Sequence, residues 1–210
     1  MRLEALQNPS IPPMTLSLST PYTAVVDTIR QERASAWIQA LGIVGFALLT
    51  VLGAQIKVFI WEIPFTLQSI AIYGSGLYLG WRGGLLAQAL YLSLGMFFPV
   101  FASEGHGWLY FTSAVSAGFL IGAPLAAAVI GRASRNWNSL FGSTLAMLMG
   151  SAVFFTCGVV WYHYAAGHAT WWESIQKGWL AFAAVDLAKI LIISMIYTGT
   201  RRFFPRRNNG

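Results

Sequence analysis

Apolar residues fill long stretches of this chain, and polar residues gather in the short gaps between them. After a polar, proline-bearing segment at 1–34, with Pro9, Pro12, Pro13 and Pro21, six apolar runs follow at 36–60, 64–80, 83–98, 108–130, 140–162 and 178–199. A helix needs roughly 20 residues to cross a hydrocarbon core about 30 Å thick, so these runs predict membrane-spanning helices. A strand-built membrane protein would show shorter segments of alternating polarity, and lipid leaves any unpaired backbone group unsatisfied. All six runs are therefore read as helices, giving an all-α membrane protein built as a six-transmembrane-helix bundle. The second and third runs are short and glycine-rich: Gly74, Gly76 and Gly80 precede the gap at Arg82, and Gly83, Gly84 and Gly95 follow it. Small residues of this kind let backbones approach closely. Residues 1–34 lack the basic start, apolar core and small-residue cleavage site of a signal peptide. The expected organisation is a flexible tail at 1–34, a six-helix domain at 35–200 and a basic tail at 201–210.

Composition and charge sharpen this picture. Of 210 residues, 56% are hydrophobic and only 10% charged, against about 25% charged in a typical soluble domain, which excludes a soluble globule. A net charge of +6 would point to nucleic acid only if the basic residues formed a continuous patch. Instead the arginines occupy alternate gaps: Arg30 and Arg33, then Arg82, then Arg132 and Arg135, then Arg201, Arg202, Arg206 and Arg207. The intervening gaps hold Glu62, Glu104 and Glu173 with His106, His163 and His168. By the positive-inside rule the arginine side is cytoplasmic, which puts both termini inside and requires an even number of spans. Trp37, Trp61, Trp81, Trp108, Trp171, Trp172 and Trp179 fall at run ends, as an interfacial belt does. Trp108 and Trp179, on the outer side, are also candidates for ligand contact.

Asp186 and Lys189 are the only acid and base well inside one run. A charge near the bilayer centre costs about 2.5–3.5 kcal/mol on the insertion scale, so such residues face the bundle interior and mark a ligand or ion path. Spaced three apart, they share a helical face and can pair with each other, which leaves a structural ion pair as the second reading. Asp186 lies about 14 Å from the outer end of its helix near Lys177 at 1.5 Å per residue. Gln68, just inside the second run, carries a donor and an acceptor and is either a ligand contact or an interhelical hydrogen bond; Tyr91 and Ser93 share that ambiguity. Lys57 and Glu62 can reach the headgroups. His163 and His168 flank Gly167 without the further ligands that a four-coordinate structural metal needs, so no metal is expected. The lone Cys157 is read as packing. No G-x-x-x-x-G-K-[ST] loop is present, so nucleotide-driven work would belong to another protein. No nucleophile with a nearby base stands out, so the chain is not read as an enzyme and no cofactor is expected.

From Ile63 to Gly131 the chain carries Pro64, Thr66, Leu67 and Gln68, then Leu79, Gly80, Arg82 and Gly83, then Leu90, Tyr91 and Leu92, then Pro99 and Val100, then Gly118, Leu120 and Gly122. Together with the D-x-x-K of Asp186 and Lys189, this order and spacing resembles the BioY family, the biotin-binding S components of energy-coupling factor importers. It departs from the family at 114–119, which read Ala-Val-Ser-Ala-Gly-Phe where a G-P-[ST]-G-G-Y stretch is usual, and in an outer loop that carries Glu104 and His106. The resemblance implies a vitamin-capture subunit of a bacterial-type plasma membrane. Such a subunit binds biotin from outside and works with a membrane coupling protein and ATPase subunits, with no nucleic acid partner. It implies a ligand site built from Asp186, Lys189, Gln68, Tyr91, Trp108, Glu104 and His106, with 99–107 as a lid. Ala36 and Ala40 match the small-x-x-x-small pattern by which such subunits dock on the coupling protein, a pattern equally at home in ordinary helix packing. An S component for another vitamin, and an intramembrane enzyme using Asp186, remain as alternatives; self-association is left open.

Overall fold

The computed structural model describes residue 18 and residues 24–30, 34–60, 63–102 and 105–204. Within them the elements run α1 (Val25–Arg30), α2 (Ala36–Gln55), β1 (Lys57–Ile60), β2 (Ile63–Thr66), α3 (Gln68–Phe97), α4 (Gly107–Ser113), α5 (Ala117–Ala133), α6 (Leu140–Ala165), α7 (Trp171–Ile175) and α8 (Ala181–Phe203). A π-helical turn, Gln176–Leu180, joins α7 to α8. By length and apolarity, α2, α6 and the continuous run Trp171–Phe203 suffice to cross a membrane. The α4–α5 pair, bent by 97°, makes a fourth if taken as one broken span.

The first apolar run is not helical to its end. α2 stops at Gln55, and β1 pairs with β2 as an antiparallel ribbon with Lys57 opposite Thr66. Pro64 has no backbone N–H to give a helix or an inner strand, and the ribbon pairs backbone that a broken helix would leave bare. The N–H of Leu67 donates to the carbonyls of Gly53 at 3.1 Å and Ile56 at 3.2 Å, tying the ribbon to the end of α2.

The second and third runs become the two arms of α3, which reverses at Gly80. There φ is 76° and ψ −174°, a conformation open to glycine and costly for any side chain. The arms then lie against each other. A Cβ added to Gly84 would stand 3.0 Å from the Cα of Gly76, whereas in an unbroken helix these residues would be about 12 Å apart. Gln88 Nε2 donates across the same seam to Ser75 Oγ and across to α2 at Thr50 Oγ, both at 3.2 Å. The hairpin packs on α2 and α5, α5 packs on α6, and α8 closes against α3 and α6. The largest buried cluster includes Ile72, Tyr73, Leu77, Ile130, Met147, Ile190 and Tyr197. α2 is the least buried of the helices long enough to span a membrane: Trp37, Leu41, Val44, Leu48 and Leu52 form an exposed apolar stripe, and Ala36 and Ala40 are exposed at its first turns.

Parts of both expected tails are built into the bundle. α1 packs on α3, and its Asp27 forms an ion pair with Arg201, whose side chain is wholly buried. Arg30 donates to Tyr197 Oη and, at 2.7 Å, to Ser134 Oγ. Both guanidinium groups lie 5.7 Å from the centre of the Tyr197 ring. A buried guanidinium is tolerated only when paired, which draws 24–30 against the end of α8. The rest of 1–34 apart from 18 and 34, and 205–210, lie outside the described residues.

Two outcomes follow. Asp27→Asn leaves the buried Arg201 without its carboxylate and is expected to lower stability by about 3–5 kcal/mol. Gly84→Leu overfills the α3 seam and is expected to cost about 1–3 kcal/mol. Unfolding of the detergent-solubilised chain by titration with a denaturing detergent measures both; a midpoint equal to the parent's would refute either assignment.

Candidate functional site

A cavity of about 650 Å³, counting its open mouth, lies between the β2–α3 junction and helices α5, α6 and α8. Three positions on one face of α8, Phe182, Asp186 and Lys189, form one wall. Pro64, Phe65, Thr66, Gln68 and Ser69 form the second, and Phe119, Leu120, Phe154 and Phe155 close the apolar side.

The two charged groups are 5% and 6% exposed, and each is held by its own neutral partners. Tyr73 Oη lies 3.0 and 3.2 Å from the two carboxylate oxygens of Asp186, and Ser151 Oγ donates to Oδ2 at 2.6 Å. Lys189 Nζ donates to the Thr66 carbonyl at 2.7 Å and to Ser69 Oγ at 3.0 Å, and it lies 4.2 Å from the centre of the Phe65 ring. The pairing of Asp186 with Lys189 that their spacing allows does not form. Hydroxyl donors on α3 and α6 reach the carboxylate, and a carbonyl left over at the end of β2 reaches the ammonium. Two of the ammonium's three N–H groups are thus engaged, and the carboxylate keeps unused acceptor capacity. The Gln68 side-chain amide, on the cavity wall, makes no hydrogen bond with any described residue, while its backbone N–H donates to Thr66 Oγ1 at 3.3 Å. The site therefore offers an anionic acceptor, a cationic donor and an uncommitted amide, set in an apolar box. Stacked rings stiffen that box: Phe65 on Phe182 with centroids 6.1 Å apart, and Phe155 on Trp179 at 5.6 Å.

Of the residues singled out from the sequence, Gln68, Asp186 and Lys189 come together on this cavity. Tyr91 does not line it. Its ring is fully buried edge-on to Phe101, centroids 5.6 Å apart, and its hydroxyl has no partner among the described residues. Phe101 in turn stacks on Tyr110 at 5.0 Å, and it is Tyr110 that reaches the cavity. Trp108 is 72% exposed and His106 is exposed, so neither faces the site. Trp108 and Tyr110 are two residues apart on α4, about 200° around a helix, so only one of them can point inward. Glu104 lies outside the described residues. Tyr73, Ser151, Ser69 and the Thr66 carbonyl escaped sequence reasoning. Only Phe182 had a legible signal, standing one turn before Asp186 on the same face.

The BioY family model matches residues 28–206. A biotin transporter BioY of Thermotoga maritima is 30% identical over 152 residues, covering 72% of this chain and 88% of that one. A probable biotin transporter BioY of Pyrococcus horikoshii is 31% identical over 147 residues, 69% of this chain and 84% of its own. One from Lysinibacillus sphaericus is 42% identical over 87 residues, and that match spans only 43% of the relative's length and 41% of this chain. Among solved structures, the S-component for biotin from an ECF-type ABC transporter superposes with a TM-score of 0.71 at 19% identity. The superposition covers 79% of this chain and 92% of the other, a likeness of fold.

A hydrogen bond to a charged group contributes about 1.5–3 kcal/mol. Tyr73→Phe and Ser151→Ala, which each remove one donor from Asp186, are each expected to destabilise the solubilised chain by that amount. Either variant should lose its effect when Asp186 is replaced by Ala, which leaves no acceptor there, as a double-mutant cycle would read out; additive losses would refute the contact.

Proposed function

The chain belongs to the BioY family, and on that premise we propose that it captures biotin from the outer side of the membrane and delivers it inward with energy from a separate ATPase module. The observation that carries this reading is the cavity on which Asp186, Lys189 and Gln68 converge with bonding capacity to spare. Biotin has a ureido ring with two N–H donors and one carbonyl, an apolar sulfur ring and a carboxylate tail. Asp186 accepts from the ureido N–H groups, while Lys189 and Gln68 supply donors for the carbonyl and the carboxylate. Phe65, Phe119 and Phe182 cover the apolar ring. A partly satisfied buried polar network is costly, so a guest that completes its bonds is favoured over an empty site.

The arrangement of charge supports an orientation with both termini cytoplasmic in a bacterial-type plasma membrane. Arg30 and Arg201 meet at one end of the bundle, as the alternating arginines require. The exposed face of α2, with Ala36 and Ala40, is the surface proposed to dock on a membrane coupling protein that carries the ATPases. Capture without chemical change agrees with the transporter names of the relatives.

Equilibrium binding of labelled biotin to the purified chain tests the reading. Truncating one member of a buried hydrogen-bonded charged contact costs about 2 kcal/mol or more, so Asp186→Asn and Lys189→Ala are expected to weaken binding at least about thirtyfold. Trp108→Ala should bind as the parent does. Binding of a different vitamin in preference to biotin would reassign the ligand, and turnover of any ligand would make the chain an enzyme. Separately, a phosphatase fused after Gly210 is expected to be silent and a fluorescent protein there bright; the reverse would overturn the orientation.

A further inference from the structure

Ser174, buried on α7, lies 2.9 Å from the Nδ1 atoms of both His163, near the end of α6, and His168, just beyond it. A serine hydroxyl has one hydrogen, so at least one of the two imidazoles donates to it. The rings are held in turn: His163 stacks on Trp171 with centroids 3.9 Å apart, and His168 meets Tyr162 edge-on at 4.5 Å. The result is a clamp that fixes α7 on the end of α6. None of these groups touches the cavity.

The same helix meets α6 again further along. Asp186 bonds Ser151 of α6 at 2.6 Å, and Ser194 meets Thr144 of α6 at 2.8 Å. Ser174 and Asp186 are twelve residues apart, which in an unbroken α-helix is about 1,200°, leaving them about 120° apart around the axis. They could not then both face α6. The π-helical turn Gln176–Leu180 lies between them. A π-turn accommodates one extra residue, returning about 100° and bringing the two to within roughly 20°. The turn is pressed against α6: a Cβ added to Gly178 would lie 3.1 Å from both Val159 and Tyr162. Trp179, within it, stacks on the cavity residue Phe155.

We infer that Ser174, clamped between His163 and His168, is a positioning residue for the binding site: with the π-turn it sets which face of α8 looks into the cavity, so that Asp186 and Lys189 point there. The inference rests on the cavity being the biotin site, and its test separates the two. Deleting Gln176 removes the extra residue and sets clamp against cavity. With the clamp intact, Leu187 takes the place of Asp186 and Ile190 that of Lys189. Labelled-biotin binding to the full chain is expected to weaken more than about tenfold in the deletion variant. Adding Ser174→Ala releases the clamp and should restore affinity to within about threefold of Ser174→Ala alone. A residue with only a structural role would give the opposite, a double variant worse than either single. The second readout needs no ligand. A nitroxide on Leu187→Cys in a Cys157→Ser background, lipid-facing in the parent, should lose oxygen accessibility in the deletion variant and regain it in the double variant. Should the deletion variant fail to fold, Gly178→Ala, which pushes the turn off α6, is expected to weaken binding at least about threefold and to change the Leu187 accessibility. If the nitroxide behaves alike in the parent and in every folded variant, the positioning role is overturned. If instead accessibility shifts as expected while the parent binds no biotin, the positioning role stands and the proposed function falls.

Discussion

Everything in this bundle is arranged around the cost of keeping a carboxylate and an ammonium inside a lipid-embedded fold. Neither charge is neutralised by the other. Asp186 is held by hydroxyl groups from two helices, and Lys189 by a hydroxyl and by a carbonyl at the end of a short ribbon. Partners of this kind leave both charges formally intact and facing one space. A direct ion pair would have satisfied each charge with the other and left less for a guest. The site thus keeps its bonding capacity at the expense of needing four elements to meet at one place.

That requirement explains the irregular parts of the fold. The ribbon of β1 and β2 exists where a continuous helix would have consumed the Thr66 carbonyl in its own ladder; once the helix stops, the carbonyl is available to Lys189. The reversal at Gly80 folds α3 on itself and lets one arm, carrying Tyr73 and Ser69, run beside α8 while the other fills the space against α2. The π-turn before α8 keeps one helix in contact with α6 over a length that a regular helix would twist out of reach. Each departure from regular structure serves a contact to the same cavity.

The opposite end of the bundle solves a related problem. Arg201 is buried and paired with Asp27, and Arg30 reaches Tyr197 and Ser134. α1, α5 and α8 are thereby joined beneath the hydrophobic cluster of Tyr73, Ile130 and Tyr197. The face of α8 that carries Phe182, Asp186 and Lys189 toward the cavity carries Tyr197 and Arg201 toward this closure. One helix face therefore connects the site to the arginine-bearing end.

Much of this was legible in the residues alone. The length and apolarity of the runs settled a helical membrane fold, because hydrocarbon admits few other solutions; the rarity of charge within the runs singled out Asp186 and Lys189, and Gln68 stood out as a polar amide just inside its run. The family likeness was readable as well, from short motifs standing in a set order and spacing along the chain. What stayed hidden was every partner whose identity depends on which elements meet. Tyr73 and Ser151 look like ordinary core residues until α3 and α6 are brought against α8, and the Thr66 carbonyl has no side-chain signature at all. Trp108 stands out in the sequence while Tyr110 lines the cavity, because a sequence shows an aromatic residue but not the side of a bent helix on which it stands. Chemical type and periodicity are local properties and survive in a linear string. Direction, close approach and the choice of hydrogen-bond partner arise only from packing, and those were decided by the tertiary structure.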